Sequence, residues 1–287
     1  MTFSIVAADV SKGDWGIAVA SMFPAVGAVV PYAKAGVGAV ATQAWANTSF
    51  GPDGLSLMAH GVSAEEAIAR LTSADDGRIE RQVGMVDAAG LAATFTGEKC
   101  MEWAGGFVGE GFACQGNILA GESVVGEMVR AFESEAGDLC DRLLAALLAG
   151  DAAGGDRRGR QSAALLVVRE SGGYEGRNDR YIDLRVDDDD EAPTRLARVF
   201  RTWDEIMLVR DDAALPATPE LVTDLQRRLG ELGVYEGPET GTFDEPTRRA
   251  LERWAGERNL EGRLREDDQI SALLMDKVVR ASRRFDR

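Results

Sequence analysis

The chain contains one histidine, three cysteines and no long apolar run. With His60 alone, a Ser-His-Asp triad, a zinc hydrolase or a Cys-His protease would each depend on a single imidazole. His60 stands beside Gly61, a residue suited to a helix C-cap, where an imidazole in the last turn favours the helix dipole. Cys100, Cys114 and Cys140 are odd in number and lack CxxC spacing, which argues against a disulfide framework and a zinc site. Buried thiols in a reducing cytoplasm are the expectation. No stretch of about 18 apolar residues predicts a membrane span, and no basic-then-apolar leader is visible, so a cytoplasmic location is expected. Positive charge is scarce as well: 48 acidic against 32 basic residues give a formal net charge of -16. Such a surface repels nucleic acid and anionic membranes, and neither is expected as a partner.

What is present is ample apolar material, 45% of the chain, arranged in a clear rhythm. Alternation predicts strands at Phe3–Asp9, Trp15–Ala20, Val26–Ala33 and Val37–Ala44, then helices at Gly54–His60 and from Ser63 through Leu71. Ser63 and Glu66 have capping-box spacing. Strands return at Arg81–Asp87, Leu91–Phe95 and Gly111–Gly116. Helices follow at Ser123–Glu133 and Asp138–Ala149, strands at Ser162–Arg169 and Arg180–Val186, and a last helix near Ala192–Leu208. Strand blocks separated by helix pairs argue for antiparallel sheets rather than βαβ units: two sheets face to face with helices outside. Pro216 and Pro219 mark a break. Beyond it the pattern predicts a small helical module with Leu221, Leu225, Leu229, Leu232, Phe243, Leu251 and Trp254 as its apolar set. The expected division is a domain over 1–210, a linker over 211–219 and an all-α domain over 220–287.

Thr2 opens the first strand. Its small side chain permits removal of Met1, which would leave a hydroxyl and a free α-amine on one residue. That pair is a nucleophile with its own base, because an α-amine of pKa about 7.7–8.0 is partly neutral near pH 7. Met-Thr starts are also common in proteins with no such chemistry. Lys34, ending the third predicted strand, could stabilise the alkoxide and depress the amine pKa, or simply snorkel from a strand edge. Thr42, Gln43 and Asn47 lie at or past a strand end, where they could hold a substrate or cap the following turn. Asn117, after Gln115 and Gly116, could donate to an oxyanion or occupy a left-handed turn.

The glycine-rich run Gly154–Gly159 continues through Arg160, Gln161 and Ser162 into an apolar strand. Asp156 could bind the nucleophile's ammonium there, and Arg158 or Arg160 a substrate carboxylate; a solvated turn is the plain alternative. Asp183 alternates with apolar neighbours and is either a ligand or the polar face. The acidic run Asp187–Glu191 lacks the glycine and terminal glutamate of a calcium loop. Gly105–Gly111 is not GxGxxG opening a helix, so a dinucleotide site is unsupported.

Together the start Met1–Ala7, Ala25–Pro31, Gly38–Gln43, Gln115-Gly116-Asn117, Gly154–Ser162 and Asp183–Asp187 resemble the DUF1028 family over about residues 1–210. The family is related in structure to the N-terminal-nucleophile (Ntn) hydrolases. The resemblance implies an α+β fold, the four-layer αββα sandwich, with Thr2 as nucleophile and its amine as base. It sets Lys34 in a position similar to the proteasome's catalytic lysine. The tail, through Leu225–Leu229, Leu232–Pro238, Gly241–Asp244 and Thr247–Leu251, resembles a peptidoglycan-binding-like helical domain.

The expected function is hydrolysis of a C–N bond in a small amide or ureido compound, without metal or organic cofactor. Thr2, Asn117, Lys34 and Asp156 form the expected catalytic set, with Thr42, Gln43, Asn47, Arg158, Gln161, Ser162 and Asp183 around the substrate. A homodimer is expected, with a peptidoglycan fragment or a protein as possible ligand of the tail. Two other readings stand beside it: a non-catalytic small-ligand-binding protein on the same scaffold, and a cell-wall-associated protein led by its tail.

Overall fold

The computed structural model describes residues 2–208, 210 and 212–283. Met1, whose loss is expected, and Asp211, the start of the expected linker, lie outside these residues. The chain divides into two compact units, residues 1–198 and 199–287.

The first unit runs β1 (Thr2–Asp9), β2 (Asp14–Ser21), β3 (Pro31–Lys34), β4 (Gly38–Ala44), α1 (Phe50–Ala59), α2 (Ala64–Ser73), β5 (Arg81–Asp87) and β6 (Ala92–Thr96). It continues β7 (Gly105–Gly109), β8 (Phe112–Asn117), α3 (Ser123–Ser134), α4 (Leu139–Ala152), β9 (Ser162–Arg169) and β10 (Arg180–Val186), and α5 (Ala192–Trp203) leads out of it. The strands form a six-stranded sheet, β10-β9-β2-β1-β8-β7, and a four-stranded sheet, β3-β4-β5-β6. Every pairing is antiparallel.

Side-chain alternation along β1 sets the layers. Phe3 and Ile5 are fully buried on the face towards α3 and α4, where Phe3 meets the bare Cα of Gly150. Ser4 and Val6 point the other way, into the second sheet. Ser4 bonds to Gln43 of β4, and Val6 shares a buried cluster with Ala39, Ala41 and Val86. On β2, Gly16 carries no Cβ where one would stand 2.7 Å from Leu143 of α4, so the helix packs close to the strand. The four-stranded sheet covers its outer face with α1 and α2 through Phe50, Met58, Ala67 and Ile68. Ser63 caps α2 by accepting from the Glu66 N–H, and Asp138 with Asp141 forms a capping box on α4.

Two sequence expectations are corrected here. Val26–Ala33 is not one strand: Ala25 adopts φ 51°, Val26–Ala28 forms a 3-10 turn, and only Pro31–Lys34 pairs with β4. The Ser162 hydroxyl accepts from the Val26 N–H and draws this segment onto β9 instead. Gly105–Gly109, read only as glycine-rich, is the edge strand β7.

In the second unit β11 (Ala214–Pro216), α6 (Pro219–Glu231), α7 (Glu245–Gly256), β12 (Gln269–Ser271) and α8 (Ala272–Ser282) enclose Val222, Leu225, Leu229, Leu251, Trp254, Ile270, Leu274 and Val278. The β11–β12 ribbon shows that this region is helical but not all-α. Buried Gln226 ties α6 to the 240–242 turn and to Thr247 of α7. Buried Arg263 donates to the carbonyls of Asp204, Glu205 and Arg210.

Candidate active site

Because Thr2 has the same parity as Ser4 on β1, its side chain faces the space between the sheets, at the strand's open end. It pairs with Asn117 across β8. Its Oγ1 lies 3.1 Å from Ser21 Oγ at the end of β2. Thr2 is 5% exposed, and that exposure opens onto a cavity of about 470 Å³. Phe23, Val26, Val29, Val30, Trp45, Met101 and Ile118 line most of it, and Gln43 and Asn117 join Thr2 on the polar part.

A buried amide network runs beneath the cavity. Ser4 Oγ donates to Gln43 Oε1 at 2.7 Å and accepts from Gln115 Nε2 at 2.7 Å. Gln82 Oε1 accepts from Gln43 Nε2 at 2.8 Å and from Asn117 Nδ2 at 2.9 Å, while Gln82 Nε2 donates to the Gly116 carbonyl at 2.7 Å. These bonds cross the interface between the sheets and orient the Asn117 amide. One Nδ2 hydrogen is committed to Gln82, and the second is available to another acceptor.

The structure gathers Thr2, Gln43, Asn117 and Arg158 around one cavity and disperses the other expected residues. The Asp156 carboxylate, 2% exposed, accepts from the Met22 N–H and from Arg158 N, Nε and Nη2. It clips two loops together and holds Arg158 at the cavity. Lys34 is exposed at the far end of a four-residue strand, opposite Gly38. Gly38 lies five residues along β4 from Gln43, a separation of about 17 Å. Lys34 therefore lines another cleft, with Tyr32, Arg180, Asp183 and Arg185. Asp183 is there paired with Arg180.

Thr42 faces away from Gln43 and donates to the Asn47 carbonyl. Asn47 braces the start of α1, accepting from Ser49 and donating to Asp75. Gln161 donates to Asp188, and Ser162 bonds Phe23 and Val26 in the cavity wall. Lys99, Trp45, Ser21 and Gln82 were not expected at the site. Gln82 and Ser4 carried a signal, being polar residues at inward positions of apolar strands.

Cys100 also borders the cavity. Burial pushes its thiol above the ordinary range, and its Sγ donates to the Arg81 carbonyl. It is a protonated thiol at neutral pH and a poor nucleophile. Among the described residues no cluster of three or more His, Cys, Asp or Glu could hold a metal ion, and no helix is long and apolar enough to cross a membrane.

The Trp45 loop is held by one ion pair. Arg81 Nε bonds Asp75 at 2.8 Å, and Arg81 Nη1 donates to the Trp45 carbonyl. The Arg81 hydrogen bond, aided by the Gly77 N–H and the Asn47 amide against partial burial, lowers the Asp75 carboxyl to about 2. An unfolded aspartate titrates near about 3.9. The pair's stabilisation is thus complete above about pH 4 and is lost as pH falls towards 2. It amounts to about 1–2 kcal/mol after allowing for solvent screening. Asp75→Asn is expected to be less stable than wild type at pH 7 by that amount, with the gap closing between pH 4 and 2 in urea melts. A pH-independent gap would contradict the assignment.

The model of a family of unknown function, DUF1028, matches residues 2–196. The chain belongs to the DUF1028 family. Its DUF1028 domain carries the whole cavity just described, and the model of a peptidoglycan binding domain matches residues 207–276. The crystal structure of a DUF1028 protein from Silicibacter pomeroyi is similar, with a TM-score of 0.65 and 33% sequence identity, covering 71% of this chain and 86% of that one. No curated protein matches.

Proposed function

We propose that the DUF1028 domain is an N-terminal-nucleophile amidohydrolase cleaving the C–N bond of a small amide or ureido compound. The two facing sheets with helix pairs outside are read here as the four-layer αββα arrangement of such enzymes. The observation that carries the reading is Thr2 itself: a hydroxyl at the first strand's end, bonded to Ser21 and opening onto an apolar cavity beside Asn117.

Once Met1 is removed, the neutral α-amine of Thr2 takes the Oγ proton as Oγ attacks the substrate carbonyl carbon. The free Nδ2 hydrogen of Asn117 donates to the oxyanion. The C–N bond then breaks and the amine leaves with the proton from the α-ammonium. Water, deprotonated by the same amine, attacks the Thr2 ester, releasing the carboxylic acid and restoring the hydroxyl. No metal is needed for these steps. Lys34, which lines another cleft, has no part in them.

The same reading takes the protein as a cytoplasmic homodimer whose peptidoglycan-binding-like domain docks a glycan fragment or a protein partner. The test is a screen of small amides and ureides on protein of verified intact mass. Turnover is expected only from molecules lacking Met1. Ligand binding without hydrolysis in fully processed protein would favour a non-catalytic binding role instead.

A further inference from the structure

The cavity beside Thr2 also constrains what fills it, and this inference rests on the proposed hydrolase reading for its chemistry but not for its test. Seven large apolar side chains supply its walls, and three of them stand open to solvent: Trp45 is 72%, Met101 58% and Phe23 49% exposed. Three charged side chains border it, Lys99, Glu80 and Arg158. The Lys99 backbone N–H bonds the Ile79 carbonyl, which places Lys99 and Glu80 on one wall. The Lys99 ammonium has no ion-pair partner among the described residues, although the chain carries a formal charge of -16.

Arg158 belongs to the glycine-rich loop, whose Arg157 N–H bonds the Ile118 carbonyl while the Ile118 N–H bonds the Met101 carbonyl, so both segments meet at Ile118. Two of its nitrogens, Nε and Nη2, are held by buried Asp156, which pre-orients the guanidinium. A planar fork fixed from behind is suited to a carboxylate in front. Asp156 balances Arg158 from behind, so the cavity offers a carboxylate one pre-oriented guanidinium and one ammonium, with Glu80 the one acidic residue that lines it.

We infer that the substrate is an amide with an apolar body and one free carboxylate, of the N-acyl amino acid class. The carboxylate is received by Arg158 and Lys99, and the body lies against Val26, Val29, Val30 and Trp45. A dianion would meet Glu80 unpaired. A neutral amide would forgo the charge-assisted bonds to both cations, and an amine would be repelled by them.

The test uses the full chain and probes that cannot be hydrolysed, so its outcome is independent of whether Thr2 attacks. Hexanoate, hexan-1-ol, hexylamine and acetate are titrated calorimetrically against wild type and against Lys99→Met and Arg158→Met, with thermal melts confirming that each variant is folded. Hexanoate is expected to bind at least about tenfold more tightly than hexan-1-ol, the worth of one charge-assisted contact. It should also bind at least about tenfold more tightly than acetate, since each buried methylene contributes about 0.8 kcal/mol. Each variant should remove most of the preference for hexanoate over hexan-1-ol. Lys99→Met, which replaces an exposed side chain, keeps the test sound if Arg158→Met fails to fold. Equal binding of hexanoate and hexan-1-ol, equal binding of hexanoate and acetate, or no binding of hexanoate by folded wild type would each overturn the inference. Hexanoate binding by protein that hydrolyses no amide would sink the hydrolase reading and leave the ligand class standing.

Discussion

Thr2→Ala is expected to lower amide hydrolysis by about three orders of magnitude or more, the scale seen when a covalent nucleophile is removed. The change in fold should be small. The hydroxyl bonds Ser21 Oγ at 3.1 Å, a contact worth about 0.5–1.5 kcal/mol. Alanine is as easily exposed as threonine by removal of Met1, so the substitution leaves the amine in place and deletes the attacking oxygen together with one methyl group. Thr2→Ser keeps both groups and should retain much of the rate. Paired measurements of turnover and melting temperature on the three proteins separate chemistry from stability. Full activity in the alanine variant would remove Thr2 from the mechanism.

Gln82→Met should carry the largest stability cost outside the apolar core. Methionine matches glutamine closely in volume, so little cavity forms. The loss is polar: the Asn117 amide, the Gln43 amide and the Gly116 carbonyl each lose a buried partner. An unsatisfied buried group costs about 1–3 kcal/mol, and partial relaxation of the three brings the expected total to about 3–5 kcal/mol. In a domain of this size that lowers the calorimetric midpoint by about 6–15 °C. Because the same bonds orient Asn117, turnover of the folded variant should fall as well. An unshifted midpoint would mean that the amides find other partners and that the network is not a structural joint.

The strands whose side chains alternate and whose partners are close in sequence were legible. β1, β2, β5 and β10 follow from the pattern of Phe3–Asp9, Trp15–Ala20, Arg81–Asp87 and Arg180–Val186. Val26–Val30 misled because its β-branched residues serve as cavity wall, and the signal for burial does not tell a strand from a lining. β7 was silent because an exposed, glycine-rich edge has no alternation to show. Among the site residues, Thr2 and Asn117 were readable as strand ends that the sheet register then set opposite one another. Gln43 reads from the sequence as a substrate contact or a cap, and its actual role depends on Ser4 and Gln82, both 39 residues away. The surroundings of Lys34 and Asp156 were not legible, for related reasons. A charge beside a strand or within a glycine-rich loop reveals its chemistry, but only the register of β3 and the Met22–Arg158 clip decide what it faces.

Whether a single residue at the mature start both attacks and relays the proton is best read from a covalent trap. A β-lactone opened by Thr2 Oγ would remain as an ester, adding the whole mass of the lactone to the N-terminal peptide with its α-amine still free. The account predicts that adduct on Thr2 of chains without the initiator methionine, and none in Thr2→Ala. Labelling confined to Lys99 or Cys100, or turnover by protein that still carries Met1, would contradict it.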